Sequence, residues 1–110
     1  MKKITYTVAV ILLVITGYAL AETEKIINTS NEYGGKTKES VYLPSDEQHK
    51  QGIMKVIDYY DGDGKVVKGE VYLVDDYAKK AGIMKVIDYY DSDGKVVKQE
   101  SYDLKGNKIP

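Results

Sequence analysis

The sequence predicts a mainly β protein: an antiparallel meander of three repeated β-hairpins, about six strands, with short helical connectors after an N-terminal signal peptide. Three observations predict this fold class. A stretch of seventeen residues recurs almost unchanged at an offset of thirty. Runs of β-branched and tyrosine residues flank Asp-Gly turn sequences. A short apolar segment near the start of the chain ends in Ala-Leu-Ala.

Residues 1–21 have the organisation of a secretory signal peptide. Two lysines form a basic start, residues 8–15 are an unbroken apolar run, and residues 19–21 supply the small side chains that cleavage requires. Cleavage would leave Glu22 first, and the mature protein is expected in the periplasm or secreted from a bacterium. The alternative is an uncleaved anchor, because residues 4–21 approach the roughly 17 to 25 residues that span a bilayer.

Composition limits the possible functions of the mature chain, residues 22–110, which is long enough for one domain. All 16 basic residues are lysines and two of them precede the cleavage site, so 14 lysines stand against 17 acidic residues and the net charge is −3. A mildly acidic chain without arginine is a poor nucleic-acid ligand. The absence of cysteine excludes thiol catalysis and cysteine metal sites. No membrane contact is expected after cleavage.

An internal duplication divides the mature chain into three units. Residues 52–68 and 82–98 differ only at one position, Gly62 in the first copy and Ser92 in the second. A decayed copy precedes them, in which Gly34 takes the place of the turn glycine. The units are residues 22–51, 52–81 and 82–110.

Each unit has the pattern of a β-hairpin. Residues 53–60 and 65–74 are rich in residues that favour strands. Residues 61–64 (Asp-Gly-Asp-Gly) are expected to form a type I turn with Gly64 in the left-handed conformation. Residues 103–107 carry a further turn signal.

This turn predicts the register of the hairpin. Tyr60 is expected opposite Val66, and Asp58 opposite Lys68. One face would form the core, while the other would be solvated and carry a cross-strand ion pair. The expected core face comprises Ile53, Ile57, Tyr59, Val67, Val71 and Leu73. The expected solvated face comprises Met54, Val56, Asp58, Tyr60, Val66, Lys68, Glu70 and Tyr72.

The segments between hairpins, residues 45–52 and 75–82, are expected to form short helical turns. Each begins with a capping residue, Ser45 or Asp75, and each has acidic residues first and basic residues last before a closing glycine. The pattern leaves open whether the sheet stays open or closes into a barrel.

A recurring motif relates these hairpins to known repeat families. The string Tyr-Asp-x-Asp-Gly-Lys begins at Tyr60 and at Tyr90, and Tyr-Asp-Leu-Lys-Gly-Asn begins at Tyr102. It resembles the YD repeats of bacterial surface and toxin proteins and is similar to variant MORN hairpins. It departs from the YD pattern in the Lys-Val after the glycine, the lack of arginine and the small number of units. The resemblance implies a hairpin array that serves as a shell or an interaction surface.

The turn carboxylates are candidate calcium ligands. Counting from Tyr59, the positions of Asp61, Asp63, Gly64 and Glu70 match those of an EF-hand loop. However, tyrosine stands at the first position, where a carboxylate is needed, and the flanks have a strand pattern. The alternative is a hairpin turn whose aspartates bind backbone amides. The candidate ligands for weak calcium binding are Asp61, Asp63, Asp91 and Asp93.

The tyrosines are the candidate ligand- or partner-binding residues. Their rings could stack on sugars or line a partner surface, or they could pack across strands. The single histidine, His49, is expected to be a surface residue of a connector. The candidate contact residues are Tyr60, Tyr72, Tyr90 and Tyr102.

These features predict a non-enzymatic exported protein that acts as a binding or structural module through a sheet surface rich in Tyr, Asp and Lys. The expected partner is a protein, a glycan or a second copy, because near-identical units present the same chemistry at fixed spacing. No cofactor is expected apart from weakly bound calcium. The alternatives are a calcium-responsive module and a small inhibitor of an envelope enzyme.

Overall fold

The computed structural model describes residues 23–110, so the predicted signal peptide lies outside the described residues. They form one antiparallel sheet in which every strand pairs with the next along the chain. The predicted β meander is confirmed, with seven strands where about six were expected. The strands are β1 (Thr23–Asn28), β2 (Gly34–Val41), β3 (Ile53–Asp61), β4 (Val66–Leu73), β5 (Lys85–Tyr90), β6 (Val96–Tyr102) and β7 (Lys108–Ile109).

Two helices form the predicted connectors. Helix α1 (Glu47–Lys50) joins β2 to β3, and helix α2 (Asp75–Ala81) joins β4 to β5. Helix α2 ends at Gly82, whose φ of 71° is left-handed and suits a residue without a Cβ. The predicted caps, Ser45 and Asp75, are wrong: the N-caps are Asp46 and Val74, and neither side chain makes a capping hydrogen bond.

Four tight turns share one hydrogen-bonding pattern. Oδ1 of Asp61 accepts hydrogen bonds from the backbone amides of Asp63 (2.9 Å) and Lys65 (3.0 Å), and Gly64 donates to the Asp61 carbonyl at 3.1 Å. Gly64 has a φ of 82°, which confirms the predicted left-handed glycine. The same side-chain and backbone bonds are made by Asn31, Asp91 and Asp103.

An extra residue in β4 changes the predicted register. Tyr60 pairs with Val66 as expected, but Val67 forms a bulge, so Tyr59 pairs with Lys68 and Asp58 with Gly69. A bulge of this kind shifts the side chains that follow it to the other face, here as far as Met54, where a second irregularity restores the pairing of Ile53 with Leu73. The register shifts in the same way at the second copy of this turn.

The core therefore differs from the predicted core face. Val56, Val71 and Val86 pair across β3, β4 and β5 and are buried, and Ala78 of α2 and Ile83 pack against them. Val56 had been expected on the solvated face. Ile53, Val71 and Leu73 are buried as expected, whereas Ile57 and Tyr59 lie on the opposite side of the sheet from α2. We call that opposite side the open face.

Candidate functional site

The open face carries three rows of side chains that run across the strands. Register places these residues opposite one another on neighbouring strands, and the two-residue period of a strand keeps the three rows on the same face. The first lysine–tyrosine row is Lys55, Tyr72, Lys85 and Tyr102. The central row is Glu39, Ile57, Glu70, Ile87 and Glu100. The second lysine–tyrosine row is Tyr59, Lys68, Tyr89 and Lys98.

Lysines and tyrosines alternate in the two outer rows and interact through cation–π contacts. The ammonium of Lys55 lies 4.5 Å from the ring centroid of Tyr72, and that of Lys85 lies 5.7 Å from Tyr72 and 4.7 Å from Tyr102. Tyr72 thus has a lysine on either side of it in its row. In the second row, the corresponding distances are 4.7 Å from Lys68 to Tyr59 and 5.1 Å from Lys98 to Tyr89.

The outer rows also cover the isoleucines of the central row. Ile57 and Ile87 are 9% and 5% exposed, although α2 packs on the other side of the sheet. Long lysine and tyrosine side chains bury apolar surface along their stems while keeping their polar ends in water. The open face is therefore a packed layer of side chains whose lysine ammonium and tyrosine hydroxyl groups face the solvent.

Glu100 links strands β5, β6 and β7 on this face. Its carboxylate accepts a hydrogen bond from the Tyr89 hydroxyl at 2.9 Å and lies 3.0 Å from Lys108 Nζ and 3.4 Å from Lys98 Nζ. Lys108, then the Tyr89 hydroxyl, lower the pKa of Glu100 to about 2. The carboxylate therefore stays ionised and holds these side chains in place.

The tyrosine hydroxyls of this network remain protonated over the physiological pH range. Burial, followed by the hydrogen bond to Glu100, raises the pKa of Tyr89 to about 12. Burial and the charge of Glu70 raise the pKa of Tyr59 to about 12 as well. These phenols therefore act as hydrogen-bond donors to the central glutamates.

The opposite face carries two aspartates that are equivalent in the repeats, Asp88, which is buried, and Asp58, which is half-buried. Asp88 is 0% exposed, its Oδ1 accepts a hydrogen bond of 2.8 Å from Gln99 Nε2, and its Oδ2 has no partner among residues 23–110. Asp58 lies on the other side of Gly69, in the same row across the sheet. The ring of Tyr90 lies beside Gly69, and a Cβ added to this glycine would be 3.6 Å from the ring.

Burial is the main influence on these carboxyls. It raises the pKa of Asp58 to about 6, although the charge of Lys38 opposes the shift. It also raises the pKa of Asp88, against the hydrogen bond from Gln99. A carboxylate away from water is disfavoured unless it is fully paired, so both groups hold protons more tightly than exposed aspartates do.

The structure separates the four tyrosines that the sequence grouped together. Tyr72 and Tyr102 lie on the open face, whereas Tyr60 and Tyr90 lie on the face that carries the buried aspartates. The expected common face is wrong because the bulge shifts β4 relative to β3. The open face instead brings Tyr59 and Tyr89 together with Tyr72 and Tyr102.

The candidate calcium ligands lie at the ends of the hairpins. Oδ1 of Asp61 and Oδ1 of Asp91 accept hydrogen bonds from backbone amides, as expected if these aspartates serve the hairpin turn. Two adjoining shallow clefts of about 290 Å³ each lie between these turns. Asp63 and Asp93 are exposed. Over residues 23–110, no group of three or more His, Asp or Glu side chains is placed to hold a metal ion. His49 lies half-buried in α1.

Sequence reasoning missed the lysines of the open face and the aspartates Asp58 and Asp88 of the other face. The signal for the lysine rows was the thirty-residue period, which places Lys85 two strands from Lys55 and Lys98 two strands from Lys68. The inward position of Asp58 left no such signal, because the alternation along β3 fits either face until the partner strand is placed.

No protein-family model, curated protein or solved structure matches the chain. Over residues 23–110, both helices are too short and too polar to cross a lipid bilayer.

Proposed function

We propose that the protein is an exported, non-enzymatic binding protein that contacts its partner through the open face. One observation carries this proposal. The open face is an ordered lattice of lysine, tyrosine and glutamate side chains, and within residues 23–110 the core and α2 lie on the other side of the sheet.

The side chains of this lattice are already held in fixed positions, which favours binding. A free lysine loses rotamer freedom when it binds, and this loss costs about 0.5 to 1.5 kcal/mol for each immobilised side chain. Cation–π contacts hold Lys55, Lys68, Lys85 and Lys98 against rings of the sheet. Much of the ordering cost is therefore met during folding.

Lys85 is the best-placed contact residue. It is half-buried at the middle of the first row, between Tyr72 and Tyr102. Among residues 23–110, no carboxylate lies within ion-pair distance of its ammonium, whereas Lys55, Lys68 and Lys98 have glutamate partners. Its charge is thus available to a partner without the loss of an existing ion pair.

Co-sedimentation with isolated cell envelope tests the proposal. The test variant is Lys55→Gln/Lys85→Gln, and its matched control is Lys65→Gln/Lys95→Gln, a repeat-related pair of exposed lysines at the hairpin turns. We expect the test variant to lose envelope binding and the control to retain it. Circular dichroism checks that both variants are folded, and equal binding by the two variants overturns the proposal.

A further inference from the structure

The open face is positively charged on a chain that is acidic overall. Counting the edge lysines Lys25 and Lys108, which pair with Glu39 and Glu100, the face has six lysines and three glutamates, or +3. The remaining described residues have eight lysines and thirteen acidic residues, or −5. A partner that fits this distribution of charge is anionic and lies on the open face.

The two lysines of each row are repeat-related. Lys55 and Lys85 occupy equivalent positions of successive repeats and lie two strands apart in the first row, and Lys68 and Lys98 do the same in the second. Neighbouring strands are ~4.8 Å apart, so equivalent lysines recur at about 10 Å across the sheet. The rows are thus suited to a polymer whose negative charges recur at this distance.

The tyrosine rings favour a charged sugar over a neutral one. Lysines lie against Tyr59, Tyr72, Tyr89 and Tyr102, at 4.5 to 5.7 Å from the ring centroids. Sugar stacking needs a free ring face, and these lysines compete for it. The surface offers ammonium groups and hydrated polar edges, which suit carboxylates spaced along a hydrated chain.

From these observations we infer that the open face binds a linear acidic polysaccharide that carries one carboxylate per disaccharide and runs across the strands. The inference rests on the proposed function and specifies its ligand. A linear polysaccharide of this kind places its charges at about the spacing of the lysines.

Other anionic polymers fit the spacing less well. Side chains on one side of an extended peptide recur at about 7 Å. A nucleic-acid strand carries a charge for about every 3.4 Å of helix axis. Neither distance matches lysines that recur at about 10 Å, so the repeat of the sheet favours the polysaccharide.

Calorimetric titration of the exported protein with hyaluronan oligosaccharides tests the inference, because hyaluronan has one carboxylate per disaccharide. We expect binding that weakens with added salt and that falls about tenfold in Lys55→Gln/Lys85→Gln, since each charge at the surface contributes modestly. The control Lys65→Gln/Lys95→Gln should bind as the unchanged protein does. Carboxyl-reduced hyaluronan should not bind.

Three results overturn the inference: no binding of hyaluronan, equal binding of the carboxyl-reduced polymer, or tighter binding of poly-L-glutamate or duplex DNA measured in the same buffer. The envelope experiment separates this failure from that of the proposed function. If Lys55→Gln/Lys85→Gln loses envelope binding while hyaluronan does not bind, only the polysaccharide is wrong. If envelope binding is also unchanged, both proposals fall.

Discussion

The side-chain amide of Gln99 donates a hydrogen bond of 2.8 Å to Oδ1 of Asp88, a carboxyl that is fully buried. Gln99 occupies the position that Gly69 has one repeat earlier. Gly69 pairs with Asp58 on one side and with Asp88 on the other, and Gln99 pairs with Asp88. One repeat thus supplies a donor to its buried carboxyl, while the other leaves room for the ring of Tyr90. The two faces of the sheet therefore have different roles, since one buries acids and the other displays lysines.

Replacement of Gln99 should destabilise the fold increasingly as pH rises. The hydrogen bond lowers the pKa of Asp88, so its loss in Gln99→Leu raises that pKa further and penalises the ionised form. We expect a loss of about 1 to 2 kcal/mol at neutral pH and less in acid, measured by urea unfolding. The loss should be small in an Asp88→Asn background, and an equal loss in both backgrounds would contradict the assigned hydrogen bond.

Stability should decrease as Asp58 ionises. Its folded pKa of about 6 lies above the ~3.9 of an unfolded aspartate, so the folded state binds the proton more tightly. The resulting stabilisation is complete below about pH 4 and is lost as pH rises through 6. Asp58→Asn should remove this decline and raise the free energy of unfolding at pH 7 by about 1 to 2 kcal/mol.

Denaturation between pH 4 and 8 measures this effect, with Asp63→Asn as the matched control. Asp63 is exposed and makes no side-chain hydrogen bond within residues 23–110, so its replacement should leave the pH profile unchanged. A profile for Asp58→Asn that parallels that of the unchanged protein would show that Asp58 does not retain its proton in the folded state.

The turn aspartates should differ sharply in their contributions to stability. Asp61→Ala removes two hydrogen bonds to backbone amides and should cost about 1 kcal/mol, by analogy with helix caps. Asp63→Ala should change the free energy of unfolding by less than about 0.5 kcal/mol, because the side chain is solvated. Thermal melts of the two variants decide the matter, and similar midpoints would contradict the assigned turn geometry.

Gly35 should be far more sensitive to substitution than Gly62. A Cβ on Gly35 would overlap the carbonyl oxygens of Tyr60 and Asp61, so Gly35→Ala must move β2 away from β3. We expect a cost of about 2 to 3 kcal/mol. Gly62→Ser is the control, since the second copy of the repeat already has serine at this position, and its nearest obstacle is 3.5 Å away. Urea unfolding measures the stability of both variants. Equal stabilities would contradict the close approach of Gly35 to β3.

The local features of the fold could be predicted from the sequence. The Asp-Gly turns, the strands beside them and the helical connectors depend on residues within about ten positions, so short-range preferences determine them. The turn at Asn31 follows the same rule, although only its Gly34 was aligned with the repeats. Asparagine and aspartate accept the same two amide hydrogen bonds.

The assignment of the faces could not be predicted, because it depends on a single residue. The bulge at Val67 reverses which side of β3 shares a face with Val71 and Leu73, and nothing in a run of two valines shows which of them is unpaired. That bulge moves Glu70 and Tyr72 onto the same face as Ile57 and Tyr59. The four tyrosines that the sequence grouped on one face are therefore divided, and only Tyr72 and Tyr102 lie on the open face.

Lysine footprinting on envelope-bound protein tests most directly whether the open face is the contact surface, because it needs no knowledge of the ligand. Protein with and without envelope is acetylated, and the modification of each lysine is measured by mass spectrometry. If the open face is the contact surface, we expect envelope to protect Lys55, Lys68, Lys85 and Lys98 from acetylation. The turn and helix lysines Lys65, Lys79, Lys80 and Lys95 should be modified as in free protein. Protection of the second group, or equal protection of both, would contradict this expectation.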